Sequence, residues 1–483
     1  MVDTRDLKSL GQEWLCGFES RSRHTTMKYK EEINESFTMA EAIKEAQRCL
    51  HCKVPQCKKG CPIGNDIPDW IHELKKGNMG NAISIIRAKS NLPAVCGRVC
   101  AHEKQCEGNC VLGKKGQPVN IGKLERFVAD FDSDNELTHE DISEKSRGRV
   151  AVIGAGPSGI TVAGDLSREG FAVEIFEMEA QCGGVLRYGI PEYRLPKEVV
   201  AREIRYIEKM GVVIHRNTHV GVAITIDSLF QQGFDAIFIG TGLSKPKSLE
   251  IPIWQNGRCI SEGEGATRCS DLKRIRLATH FLRRVELISE GFMERSELPV
   301  DPGARVFVVG CGNTAMDASR TALRIGASRV EVIYYQGIDT MSALRAEYDD
   351  AVREGVTFRW WSSIKEVHVD DQLDITHIVL ETAEPDKEPL RETLPASNII
   401  FAIGSTPATK IVRTTSGLEN DDHKFLITRD VPYGMTTRKG VFAGGDVVGR
   451  QATVVHAMQD AKRVAQGIAQ YVDAVKLMRL IEV

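Results

Sequence analysis

The sequence predicts an α/β chain: an α-helical, cysteine-rich N-terminal domain, then two Rossmann-type domains, the second inserted into the first. Three observations predict this. Eight of the thirteen cysteines fall in two blocks within the first 110 residues. A strand, glycine turn, helix and second strand begin at Arg149, in RVAVIGAGPSGITVAGDLSREGFAVEIFE. The same pattern begins again at Arg305, in RVFVVGCGNTAMDASRTALRIGASRVEVIYY. Two related βαβ units so far apart suggest two nucleotide domains, one inside the other. The expected boundaries are 1–145 for the helical domain, 146–250 with 395–483 for the discontinuous one, and 251–394 for the insertion.

A length of 483 residues leaves room for about three domains, each burying its own core. The composition, 42% hydrophobic and 27% charged, is that of an ordinary water-soluble protein. A net charge of −3 gives no field for gripping phosphate backbones, so nucleic acid is not an expected partner. No apolar run reaches the roughly 18 residues needed to span a bilayer. The first residues, MVDTRDLKSLGQEWL, mix acids with bases around no apolar stretch, unlike a secretory signal. Unpaired cysteines without an export signal point to a reducing cytoplasm.

In the N-terminal domain, TMAEAIKEAQRCLHC carries Thr38 as an expected N-cap with Glu41 three residues on, the capping-box spacing. Further helices are expected from near Asp66 and from Asn81. The cysteine blocks are Cys49-x2-Cys52-x4-Cys57-x3-Cys61, followed by Pro62, and Cys96-x3-Cys100-x5-Cys106-x3-Cys110. Thiolate is a soft ligand, and four at such short intervals can wrap one iron–sulfur cube; eight suit two, in a ferredoxin-like domain. A disulfide framework fits neither the odd count nor the chain's size. Zinc prefers paired Cys-x2-Cys knuckles, and only Cys49 and Cys52 have that spacing. Metal binding is expected to supply much of this domain's folding energy. The polar, acidic stretch 132–148 reads as a linker.

The first βαβ unit opens with an apolar run, 150–153, short and β-branched as a buried parallel strand should be. Gly154, Gly156 and Gly159 then form a GxGxxG turn, with Pro157 and Ser158 at the helix start. Gly154 permits the turn, Gly156 lets backbone approach a pyrophosphate, and Gly159 allows close helix–strand packing. The helix N-terminus faces the phosphates, and Glu177 ends the second strand where a ribose would lie. FAD is the expected nucleotide. Gly184 and Arg187 lie in CGGVLRYGIPEYRLP, AIFIGTG (236–242) is a strand running into a small-residue turn, and GVFAGGDVVGRQATVV places Asp446 after a short strand. An acid there can bind the ribityl chain. The following helix, starting near Thr453 and Val454, can stabilise charge near flavin N1/O2.

These pieces in this order resemble the small subunit of NADPH-dependent glutamate synthase. They are equally similar to the large subunit of NADH-dependent ferredoxin–NADP oxidoreductase and to the N-terminal half of dihydropyrimidine dehydrogenase. RCLHCKVPQCKKGCPIGNDIPDWI, CGRVCAHEKQCEGNC, GGVLRYGIPEYRLPKEV, GNTAMDASRTALRIGA and FAGGDVV carry the resemblance, over about 38–468. It implies two 4Fe–4S clusters with interleaved ligands: Cys49, Cys52, Cys57 and Cys110 for one; Cys61, Cys100, Cys106 and Glu125 for the other. Cys96 would be spare. It also implies an FAD fold interrupted by the NAD(P) domain.

Gly310, Gly312 and Ala315 form the second fingerprint, with Asn313 and Thr314 at the helix start. In the family the second strand ends in a tyrosine and two arginines that neutralise the 2′-phosphate of NADP. Here Tyr334, Tyr335 and Gln336 stand in those places, and Ser342 replaces a proline after Met341. Losing charge-assisted bonds worth about 1.5–3 kcal/mol each puts NADPH preference in question. Arg329 and Arg345 are the nearby substitutes. NADH, altered NADPH binding and a decayed site are the three readings. His102, His215, His280 and His456 show no metal spacing and read as surface or packing residues. Cys182, Cys259, Cys269 and Cys311 are scattered singly, and Trp360 and Trp361 read as core or interface anchors.

The expected function is a flavin electron hub: hydride exchange between NADH or NADPH and FAD, then single electrons through two clusters. Hydride transfer needs stacking and orientation, so no catalytic acid or base is expected. The resemblance implies a partner, either a glutamate synthase large subunit or a ferredoxin- or NAD-linked subunit. Electron bifurcation in a larger complex and a non-catalytic relay are the alternatives.

Overall fold

The computed structural model describes residues 30–138, 144–263, 265–449 and 453–481. The described residues divide into two compact units, one of residues 32–248 with 403–481, the other of Leu249–Ala402.

The larger unit begins with helices. Thr38 caps Met39–Ala46 with the anticipated reciprocal box: its hydroxyl accepts from Glu41 N–H, and Glu41 Oε2 accepts from Thr38 N–H at 2.8 Å. Helices follow at Gln56–Gly60, Ile67–Lys75, Met79–Arg87, Pro93–Val99 and Ile121–Asn135. Met79–Arg87 starts before the expected Asn81, because Asn78 caps it by accepting from Asn81 N–H. The stretch read as a linker from 132 is helical to Asn135, and Asp132 is buried. Residues 139–143 of that stretch lie outside the described residues.

Arg87 explains the burial of Asp132. Its guanidinium lies 3.1 Å from Asp132 and 3.2 Å from Glu203, and stacks 3.8 Å from the Tyr206 ring. Glu203 also accepts from Ala94 N–H at 2.8 Å. This network ties three N-terminal helices to Lys197–Lys209 of the following fold. Removing one member of such a buried set typically costs about 3–5 kcal/mol, because a charge is left unpaired.

A seven-stranded sheet forms the rest of this unit. Its order is Thr428–Asp430, Tyr433–Thr436, Val441–Ala443, Ala236–Ile239, Gly148–Ile153, Phe171–Phe176, Val213–His215. The last five are parallel. One hydrophobic core joins the helical region to this sheet, running from Ala42 and Trp70 to Val150 and Val472. The long helix Val454–Ile481 packs on Pro157–Arg168. Among the described residues no helix is long and apolar enough to cross a membrane.

The smaller unit holds a parallel five-stranded sheet, ordered Thr357–Arg359, Arg329–Ile333, Arg305–Val309, Asn398–Phe401, Ile275–Leu277. A second sheet, mostly antiparallel, contains Ser362–Val369, Ile375–Thr382 and Leu390–Pro395. The α/β class with a helical N-terminal region and two Rossmann-type folds is therefore what the chain forms.

Candidate functional site

The eight clustered cysteines separate into two groups that cross the sequence blocks. Cys49, Cys52, Cys57 and Cys110 gather near the surface and are half-buried. Burial pushes the Cys57 thiol up to about 11, and Cys49, Cys110 and Cys52 add to the shift. Burial raises Cys49 as well, with Cys52 and Cys110 contributing. The other group lines one small enclosed cavity: Cys61, Cys96, Cys100, Cys106 and Glu125, with Val455 and His102. Burial drives Cys61 up to about 12, with the neighbouring Glu125 adding. Cys100 is raised by its contact with Cys96 and by burial; Cys106 is raised by burial and then by Glu125.

Glu125 is the residue that tests the fit. It is buried, Oε1 has no hydrogen-bond partner, and burial, reinforced by Glu203, pushes its carboxyl up to about 8. A carboxylate so placed needs a proton or a cation, and a cluster iron beside three thiolates would fit as that cation. Among the described residues no three His, Cys, Asp or Glu side chains are arranged as around a single ion. A cube takes one ligand at each iron, so its ligands stand farther apart than that. Cys96 shares the cavity but also contacts Ser90 Oγ at 3.9 Å and Met458 Sδ at 3.7 Å.

His102, read from the sequence as a surface or packing residue, is half-buried and lines this cavity. Burial pushes its pKa down to about 4, and Nε2 has no hydrogen-bond partner. Its ring needs Gly122: a Cβ there would lie 2.3 Å from it. The only sequence signal was its position between Cys100 and Cys106.

At the first glycine turn each fingerprint residue has a steric reason. Gly154 has φ +98°, and a Cβ on Gly159 would lie 1.9 Å from Gly154 O. Pro157 and Ser158 are buried at the helix start. Glu177 accepts from Ala155 N–H at 2.7 Å and from Glu179 N–H at 2.9 Å, and burial raises its carboxyl. Gly184, at φ +54°, faces Gly156: a Cβ would lie 3.1 Å from Gly156 Cα, while Gly156 itself borders open space. Arg187 is buried in the next helical turn. Asp446 has Oδ1 shut from solvent without a hydrogen-bond partner, and burial pushes its carboxyl up to about 6. That acceptor and the Gly156/Gly184 cradle fit FAD hydroxyls and pyrophosphate. Thr453 accepts from His456 N–H at 3.4 Å, and Val454 begins the helix. Sequence reading missed Asp460, which accepts from Gly445 N–H at 2.8 Å and from Tyr433 O–H at 2.7 Å. It fixes the turn carrying Asp446 from 14 residues away, a separation with no local signature.

The second glycine turn is more open. Gly310 has φ +123°, and a Cβ there would lie 2.3 Å from Ala402 O. Gly312 precedes the helix Asn313–Arg324, where Ala315 is buried while Asn313 and Thr314 are exposed. Asn313 Oδ1 accepts from Leu344 N–H at 2.8 Å. Tyr334 follows its strand as Glu177 does, but its hydroxyl donates to Gln336 Oε1 at 3.2 Å and its ring meets Trp360 edge-on. Tyr335 is 67% exposed. Arg329 does not substitute for the absent arginines. It starts the strand that Tyr334 follows, at the end away from the glycine turn, and pairs with Glu331 at 3.0 Å. Arg345 pairs with Asp349 at 2.9 Å and lies over the Tyr348 ring.

Residues 26–137 match a family model described as dihydropyrimidine dehydrogenase domain II, 4Fe-4S cluster. Residues 148–461 match one described as pyridine nucleotide-disulphide oxidoreductase. The chain is 31% identical over 472 residues to the glutamate synthase (NADPH) small chain of Halomonas elongata, covering 94% of this chain and 96% of that one. It is 31% identical over 462 residues to the corresponding chain of Escherichia coli, covering 92% and 94%. It is also 31% identical over 446 residues to the Escherichia coli NAD-dependent dihydropyrimidine dehydrogenase subunit PreT, covering 92% and 98%. Among solved structures, FprA from Mycobacterium tuberculosis aligns at TM-score 0.50 and 19% identity, covering 69% of this chain and 86% of that one, a likeness of fold.

Proposed function

The chain belongs to the glutamate synthase small chain family of NAD(P)H-dependent flavin and iron–sulfur oxidoreductases, and from that premise we propose its reaction and its ligands. It exchanges hydride between NAD(P)H and FAD and passes single electrons through two 4Fe–4S clusters to a partner subunit. Cys49, Cys52, Cys57 and Cys110 hold the outer cluster; Cys61, Cys100, Cys106 and Glu125 hold the inner one.

One observation carries this reading. Val455, in the first turn of the helix that follows Asp446, lines the same cavity as Cys61, Cys100, Cys106 and Glu125. The flavin site and the inner cysteine group therefore share one helix terminus, which suits direct electron passage between them. Bound flavin supplies the conversion of a hydride's electron pair into single electrons. The protein's part is to hold and orient. Gly154, Gly156 and the helix after them present backbone N–H groups to a pyrophosphate. Glu177 and Asp446 accept from hydroxyls, and the positive helix end near Thr453 and Val454 favours negative charge on the flavin. No side chain need take up or give a proton during hydride transfer, so no catalytic residue is assigned.

For the nicotinamide nucleotide, Gly310, Gly312, Asn313, Thr314 and Ala315 receive the pyrophosphate, and Tyr335 stands beside the adenosine. NADH is the favoured donor, because Arg329 is out of reach and Arg345 already has a carboxylate partner. That neither of these two arginines is free also supports a second reading, a flavin subunit of an NADH-linked bifurcating complex. Anaerobic titration with NADH and with NADPH, following flavin absorbance, tests both. Bleaching at much lower NADH concentration is expected. Preferential bleaching by NADPH returns a glutamate-synthase-like donor to first place, and none by either nucleotide favours a relay subunit with a decayed site.

A further inference from the structure

A groove of about 650 Å³ runs between the short helix Gln56–Gly60 and the first turns of Val454–Ile481. Its walls include Lys58, Lys59, Cys61, Pro62, His456 and Gln459. Gln459 Nε2 donates to Pro62 O at 2.7 Å, tying the two walls together. One wall thus carries Cys57 on its helix and ends at Cys61, so the groove borders both cysteine groups.

Its unpaired charge is of one sign. No carboxylate lines it. Lys58 is paired with Asp66, but Lys59 is exposed and has no carboxylate partner among the described residues. The loop leading to groove-lining Pro55 adds exposed Lys53, likewise without such a partner, and two large apolar side chains in water, Leu50 at 63% and Val54 at 61% exposure. Apolar surface rimmed by one sign of charge is the composition of a docking surface, since burial supplies affinity and the charges steer the encounter.

We propose that this groove receives an acidic segment of a one-electron carrier protein, and that electrons cross between that carrier and the chain there. The inference rests on the electron-relay function proposed above and adds the partner's charge and its point of approach. In each transfer one electron leaves a reduced cluster and reduces the carrier's oxidised centre, with no bond made or broken and no proton moved.

The test uses the purified holoprotein with its nucleotide donor and two acceptors, an acidic plant-type 2Fe–2S ferredoxin whose reduced form is continuously reoxidised by cytochrome c, and the small dication benzyl viologen. Ferredoxin reduction should fall about tenfold as salt rises through the range that screens exposed charges. The double variant Lys53→Glu/Lys59→Glu, both exposed positions, should raise the KM for ferredoxin about tenfold at low salt with little change in kcat. Viologen reduction should be unchanged. Wild-type rates with ferredoxin in the charge-reversed variant, a salt-insensitive rate, or viologen reduction without ferredoxin reduction each sink the groove as a docking site and leave the relay standing. Loss of both acceptors in the wild-type protein overturns the relay and the groove together.

Discussion

The two glycine turns of this chain share a fingerprint and differ in what surrounds it. At the first, Pro157 and Ser158 are buried, Glu177 is tied back to Ala155 N–H, and Asp446 waits with an unpartnered, enclosed oxygen. At the second, Asn313 and Thr314 face solvent, Tyr334 turns to Trp360, and Tyr335 stands in water. Enclosure slows exchange and openness permits it. The first suits a prosthetic group, the second a coenzyme that must come and go at each turnover. The same βαβ pattern serves both because the fingerprint fixes only backbone approach.

The sharpest way to break this comparison is at the third fingerprint position. Gly159→Ala places a methyl 1.9 Å from Gly154 O, so the turn must open. We expect destabilisation of about 3 kcal/mol and loss of FAD on purification, read by thermal melts and bound-flavin absorbance. Retention of stoichiometric FAD would contradict the account of an enclosed first turn.

Asp446 comes next, through pH. Its folded pKa of about 6 lies above its ordinary 3.8, raised by burial. The flavin-free chain therefore has this group's stability in full below pH 4 and loses it as pH rises through 6, by at most about 3 kcal/mol. Melts of the flavin-free protein from pH 4 to 7 should show that slope, and Asp446→Asn should flatten it. Flavin should bind the ionised carboxylate, so FAD affinity in the wild type should climb over the same interval.

At the open turn the expected effects are smaller. Tyr335→Arg, at an exposed position, should tighten NADPH about tenfold relative to NADH by giving the 2′-phosphate a charge-assisted bond; stopped-flow bleaching with each nucleotide measures the ratio. The smallest change is Ala315→Gly. It mirrors the first substitution but meets no clash, and should cost only about 0.5–1 kcal/mol from added chain freedom in a helix. A melting shift as large as that of Gly159→Ala would erase the distinction between the turns.

Much of this was legible in sequence because it is local. The capping box at Thr38, the short buried strands and both glycine turns depend on residues within a few positions of one another, where covalent geometry and hydrogen-bond reach leave little choice. Reading failed where partners are distant. Asp132 looked like part of a polar linker because Arg87, which neutralises it, lies 45 residues away. Arg329 looked near enough to replace a missing arginine, but a strand is stiff and extended, so five residues put it at the wrong end.

By itself the sequence determined that the chain has a cysteine-bound helical region and two nucleotide folds, since ligand spacing and the strand–turn–helix pattern are short-range facts. The family resemblance implied how the cysteines divide across the two blocks and that Glu125 joins the inner group; only the tertiary structure decided that His102 lines the inner cavity and that Asp460 holds the Asp446 turn. Those depend on helices far apart in the chain packing into one core, where burial sets charge and access, and no spacing rule records that packing.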